Sequence, residues 1–211
     1  MSVILAGCVS LPPANADNYL ARVELLALLQ TLNADLLSHD SATLTLERWC
    51  ADHRLAEPPR IVARRVRDAP KPLPDDLRAL LKVDAGEPVG YRHVQLMCGT
   101  HVFSEADNWY VPGRLTPEMN RLLETSETPF GYVVQPLRPY RRTFAVTLLW
   151  SPLPPGWEQQ RRPKERSRAR ALVMPKELFE HRAVLYTSDH QPFSEVDERY
   201  QGQVLAFVRG R

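Results

Sequence analysis

Proline sets the first limit on this chain, which carries 19 prolines against 9 glycines. Proline fixes φ and lacks a backbone N–H, so it is disfavoured inside helices and central strands. The fold must therefore be assembled from short elements joined by many loops. The remaining composition is that of a globular protein: 211 residues, 44% hydrophobic and 25% charged, which suits one domain with its own core. Global disorder and a repeat fibre do not fit these figures. Lys and Arg number 27 against 25 Asp and Glu, a formal charge of +2, without the basic excess of a dedicated nucleic-acid binder. No run approaches the roughly 20 apolar residues that cross a bilayer.

Periodicity places the elements. Leu20, Val23, Leu25, Leu26, Leu28, Leu29, Leu32, Leu36 and Leu37 fall within 16–38 with spacings of three and four dominant, predicting an amphipathic helix. Asp40-Ser41-Ala42-Thr43 breaks it and caps a second helix running through Trp49 to His53, which Pro58-Pro59 ends. A strand basic on one side is expected over 61–67, and a short helix over 75–82. Two strands, 89–97 and 102–111, flank a turn at Cys98–His101. A helix follows over 115–124, with Thr116 as N-cap and Pro117 at its first position. Strands are expected at 143–150, 183–187 and 193–200, the last two joined through Ser188-Asp189-His190, and 203–208 extends the sheet. The sum is α+β: an antiparallel sheet with helices packed on it.

The chain opens with Leu5-Ala6-Gly7-Cys8, which is similar to a bacterial lipobox, where a signal peptidase cuts before the cysteine and its thiol is lipidated. The charged n-region and most of the apolar h-region are missing ahead of it, and an apolar N-terminus that happens to hold a cysteine is the other reading. Residues 1–16 are thus a lipobox-like segment and tether, and 17–211 one domain. If Cys8 carries lipid, the protein is anchored to a membrane in the periplasm. Cys50 and Cys98 then remain, the right number for one disulfide. In a cytoplasmic protein they would be two buried thiols. No oligomeric state is specified.

Catalytic motifs are sparse. Six histidines show no paired ligand spacing and the cysteines no CxxC, so no metal site is expected. GxSxG, P-loop and GxGxxG patterns are absent, which leaves covalent nucleophiles and nucleotide cofactors without support. Residues 152–170 form a Pro-rich insertion with a basic cluster from Arg161 to Arg170, either phosphate-binding or, more simply, a solvated loop. Strand alternation over 104–112 puts Glu105, Asp107, Trp109 and Val111 on one face and Ala106, Asn108 and Tyr110 on the other. Neither face is cleanly apolar, as in a strand lining a polar cavity or an edge strand with one wet face. Arg92 and Glu195 lie on separate strands. They either face one cavity, as an anion clamp and a proton-handling carboxyl, or form a structural bridge across the sheet, or are two surface residues.

The order of these segments resembles chorismate lyase and, more distantly, the effector-sensing domains of GntR-type repressors. The resemblance rests on Arg92 in a strand leading to a hairpin, Pro112 followed by Leu115-Thr116 and a helix, and Thr128-Pro129-Phe130-Gly131. It rests also on Asp189-His190-Gln191-Pro192-Phe193-Ser194-Glu195 and Asp40-Ser41-Ala42-Thr43. It covers residues 18–200, outside the insertion. It implies a chorismate lyase-like fold, a central antiparallel sheet with helices on one face and an enclosed ligand pocket. It implies cleavage of chorismate, or a related enolpyruvyl acid, to 4-hydroxybenzoate and pyruvate without cofactor. Arg92 would hold the ring carboxylate and Glu195 would meet the ring hydroxyl end, with Ala42, Thr43, Asn108, Phe130 and Gly131 lining the substrate. Asn108 stands near the place of the family's second arginine, and Ala42 replaces a methionine. The alternative is a non-catalytic, membrane-anchored lipoprotein that binds a small aromatic or cyclic carboxylate, or a protein partner, in the same pocket. Neither reading involves nucleic acid.

Overall fold

A computed structural model describes residues 16–68, 70–161 and 168–210. Cys8 and the tether through residue 15 lie outside these, as do Arg162, Lys164 and Arg166 of the basic cluster. Helix α1 (Tyr19–Ser38) starts where Asn18 Oδ1 accepts from the Ala21 N–H, and buries Leu25, Leu29, Leu32 and Leu36 as their spacing requires. Helix α2 (Ala42–Asp52) is capped by Ser41, whose Oγ accepts from the Leu44 N–H. The other helices are α3 (Asp75–Leu81), α4 (Pro117–Thr125) and α5 (Phe130–Val133). Thr116 caps α4 by accepting from the Met119 N–H, with Pro117 at its first position.

Six strands form one antiparallel sheet: β2 (Ile61–Arg65), β3 (Gly90–Cys98), β4 (His101–Tyr110), β5 (Tyr140–Leu148), β7 (Glu177–Tyr186) and β8 (Pro192–Gln201). Their spatial order is β2-β3-β4-β8-β7-β5. The architecture is thus α+β, a central antiparallel sheet carrying helices. The main core lies between one face of this sheet and α1, α2, α4 and α5. Helix α3 is the exception, since it packs Leu77 and Leu81 against Trp109 and Val111 in a separate cluster on the other face.

Strand β5 begins at Tyr140, three residues before the expected start, and three other segments differ from expectation. Strand β7 begins at Glu177, six residues before the expected start, because Leu178, Phe179 and Ala183 are all buried and the inward set continues upstream. Residues 203–208 are 3-10 helix rather than strand. A short apolar run carries either periodicity, and here Val204 and Leu205 are buried side by side in the main core. Within the Pro-rich insertion, β6 (Arg168–Ala171) pairs with β1 (Ala16–Asp17) as a small separate sheet.

Cys50, near the end of α2, is joined to Cys98, at the end of β3, by a disulfide, and both residues are fully buried.

Candidate functional site

Strand parity builds the floor of a cavity that is partly open to solvent. Arg92, Val94 and Leu96 of β3 point to one face, beside Ala106 and Asn108 of β4 and Val196 and Glu198 of β8. Leu185 of β7 and Arg141 of β5 complete that side. The roof is the start of α2, from Asp40 to Thr43, and the start of α5 at Phe130 and Gly131. Inside, the centres of water-sized molecules have about 50 Å³, room for a few waters. Of the residues expected to line the site, Ala42, Thr43, Arg92, Asn108, Phe130 and Gly131 all do so.

Arg92 dominates the electrostatics. It is 3% exposed, and its Nε and Nη2 have no hydrogen-bond partner. Burial, with Arg65 nearby, lowers its pKa to about 10, so it remains a cation at neutral pH. Such a group strongly favours an incoming anion, because a buried charge without a partner is costly. Asn108 Nδ2 donates to Ser194 Oγ at 2.7 Å and to the Glu195 carbonyl at 3.0 Å, which leaves Oδ1 unpartnered. The N-terminal end of α2 adds the positive end of a helix dipole to the roof. Gly131 is required there, since a Cβ at this position would lie 2.7 Å from Thr43 Oγ1 and 3.0 Å from Ser41 Oγ. Phe130 stacks on Phe193 and leans on Tyr110, with ring centroids 6.2 and 5.8 Å away.

Two carboxyls line this cavity, the exposed Asp40 of the roof and the buried Glu198 of the floor, and Glu195 is not among them. Glu198 Oε2 accepts from Arg141 Nη2 at 2.6 Å and from the Tyr200 hydroxyl at 2.9 Å. Both partners of the ion pair are buried. Burial and then Glu198 raise the Tyr200 pKa well above its usual value, so that hydroxyl keeps its proton. Glu195 is fully buried but lies at the opposite parity of β8, in register with Trp109. It points to the α3 face, where Arg182 Nε is 3.4 Å from its carboxylate. Burial, partly offset by Arg182, pushes its pKa up to about 8. Burial also lifts Asp197, on the same face, to about 6. The expected pairing of Arg92 and Glu195 across one pocket is therefore corrected: side chains alternate along β8, and only an even-numbered residue there faces Arg92. Sequence reasoning missed Arg141 and Glu198. The sequence puts Glu198 at the parity of Val196, but only the pairing of Val196 with Asn108 shows that this parity faces the cavity.

No group of three or more His, Cys, Asp or Glu among the described residues is placed to hold a metal ion. None of the described helices is long and apolar enough to cross a membrane.

No protein-family model matches the sequence. A curated relative, the uncharacterized protein y4mC of Sinorhizobium fredii (strain NBRC 101917 / NGR234), is 48% identical over 215 residues, covering 97% of this chain and 90% of its own. The chain belongs to the y4mC family. Solved structures similar to this member of the y4mC family include PhnF from Mycobacterium smegmatis. Its TM-score is 0.48 at 17% identity, over 86% of this chain and 81% of that one. The C-terminal domain of the histidine utilization repressor from Pseudomonas syringae pv. tomato str. DC3000 gives 0.41 at 12% identity, over 68% and 92%.

Proposed function

We propose that this protein binds a small ring carboxylate in the cavity, without metal or organic cofactor, and that Arg92 is its anchor. The observation that carries the reading is the buried Arg92 guanidinium with two unpartnered nitrogens facing an otherwise largely apolar space. Arginine presents a planar fork that matches a carboxylate in two parallel hydrogen bonds. Val94, Leu96, Phe130, Leu185 and Val196 supply apolar walls for a ring. The Glu198–Arg141 pair supplies a polar patch for a ring hydroxyl. The binding unit is the single domain 17–211, and anchoring through Cys8 would place it at a membrane surface.

The enzymatic form of this reading is removal of the enolpyruvyl side chain of chorismate, giving 4-hydroxybenzoate and pyruvate. It is supported by the likeness of Arg92 and the 128–131 turn to chorismate lyase. In that form Glu198 replaces Glu195 as the carboxyl that meets the ring hydroxyl end. Titration calorimetry with 4-hydroxybenzoate tests the binding reading. Saturable binding that Arg92→Met abolishes supports it, and unchanged affinity in Arg92→Met overturns the anchor. Incubation with chorismate, followed by chromatography for 4-hydroxybenzoate and pyruvate, tests the lyase form. Product no faster than in protein-free buffer leaves a binding protein only.

A further inference from the structure

Arg92 belongs to two compartments at once. Besides the cavity under α2 and α5, it lines a surface groove between the β2–β3 edge and the end of α4, together with Arg65 and Arg67. Register shows why these arginines converge. Arg65 lies directly opposite Val94, a cavity-facing residue of β3. It is therefore the diagonal neighbour of Arg92 on the same face of the sheet, a spacing of roughly 7 Å between the side-chain bases. Ile61 and Ala63, at the same parity of β2, are buried in the main core, which confirms the face.

Arg65 is held in place by donating from Nη1 to the Glu124 carbonyl at 2.7 Å, and it lowers the Arg92 pKa through direct repulsion. Like charges at this spacing repel unless an anion sits between them. The carboxylates of the groove are Asp68, Glu124 and Glu127. Asp68 is engaged by His93 Nδ1 at 2.7 Å, and His93 lies at the opposite parity of β3 from Arg92. Glu124 and Glu127 are exposed at the end of α4 and just beyond it.

We infer that Arg65 is a second cationic contact for the ligand of this cavity, so that the preferred ligand is a dianion with one carboxylate on Arg92 inside and the other on Arg65 in the groove. The inference rests on the proposed binding reading and names its ligand class. It also makes the groove the side from which the ligand enters, because Arg92 is the wall the two compartments share.

The test compares two probes by titration calorimetry: 4-hydroxybenzoate, with one carboxylate, and 4-hydroxyisophthalate, which keeps the hydroxyl and adds a second carboxylate to the same ring. The unaltered protein should bind 4-hydroxyisophthalate about tenfold more tightly, the worth of one further charge-assisted hydrogen bond. Arg65→Gln should erase that preference and leave 4-hydroxybenzoate affinity within about twofold. Because Arg65 is exposed on an edge strand, the variant should fold, and an unchanged melting temperature checks this. Equal affinity for the two acids, or a preference that survives Arg65→Gln, overturns the inference while the carboxylate reading stands. Failure of both acids to bind overturns both.

Discussion

Two buried arginines face the same cavity, and removing each should move stability in opposite directions. Arg92 leaves Nε and Nη2 without partners, and each unsatisfied buried polar group costs about 1–3 kcal/mol. Arg92→Met keeps the length of the apolar stem and removes the charge. The ligand-free protein should gain about 2 kcal/mol, and its melting temperature should rise by about 4–8 °C for a domain of this size. Arg141 is different, because it is paired with Glu198 at 2.6 Å and both side chains are buried. Arg141→Met strands the Glu198 carboxylate, and breaking a buried pair costs about 3–5 kcal/mol. Its melting temperature should fall by about 10 °C. Scanning calorimetry in chloride buffer without carboxylates reads both. The argument is refuted if Arg92→Met melts several degrees below the unaltered protein, because the guanidinium would then be bonded within the fold rather than waiting for an anion.

The Cys50–Cys98 disulfide spans 48 residues, so Cys50→Ala with Cys98→Ala should cost about 4 kcal/mol by chain entropy; denaturant melts with and without reductant check it. Glu195 has its pKa raised to about 8, and Asp197 to about 6, chiefly by burial. The folded state therefore holds protons that the unfolded chain releases, and stability should fall as pH rises, up to about 6 through Asp197 and on to about 8 through Glu195, by up to about 1.4 kcal/mol per pH unit for each group within its window. Glu195→Gln should flatten that slope without altering carboxylate affinity, and a slope that persists would count against the buried acid. Gly131→Ala places a Cβ 2.7 Å from Thr43 Oγ1. It should displace the first turn of α2, costing about 1–3 kcal/mol and weakening ligand binding in calorimetry more than a change remote from the cavity.

Much of the floor of the cavity was legible in the sequence. Alternation along 104–112 separates Asn108 from Asp107 and Trp109 as the register shows, and the mixed polarity of both faces has a cause: one lines the cavity and the other packs under α3. Ser41 capping α2 was readable from residue type and spacing alone. The carboxyl was not, because Glu195-Val196-Asp197-Glu198 offers acids at both parities, and only tertiary pairing with Asn108 fixes which of them turns inward. Arg141 escaped for a different reason. It follows Pro139 and lies two residues before the expected strand start, whereas β5 begins at Tyr140. The basic side of β2 was visible, but its meaning depends on a cross-strand neighbour that the local pattern does not specify.

The disulfide also governs how the cavity can open. Helix α2 is 11 residues long, a rod of about 16 Å. Its far end is bolted to the end of β3 through Cys50 and Cys98, while its near end roofs the cavity at Ala42 and Thr43. A rod fixed at one end cannot slide along the sheet. Any displacement of the helix is therefore smallest at that joint and largest at its first turn. The disulfide therefore fixes the far end of the roof, and any widening of the cavity for a ligand larger than a few waters, entering from the groove at Arg92, must come from the first turn of the helix.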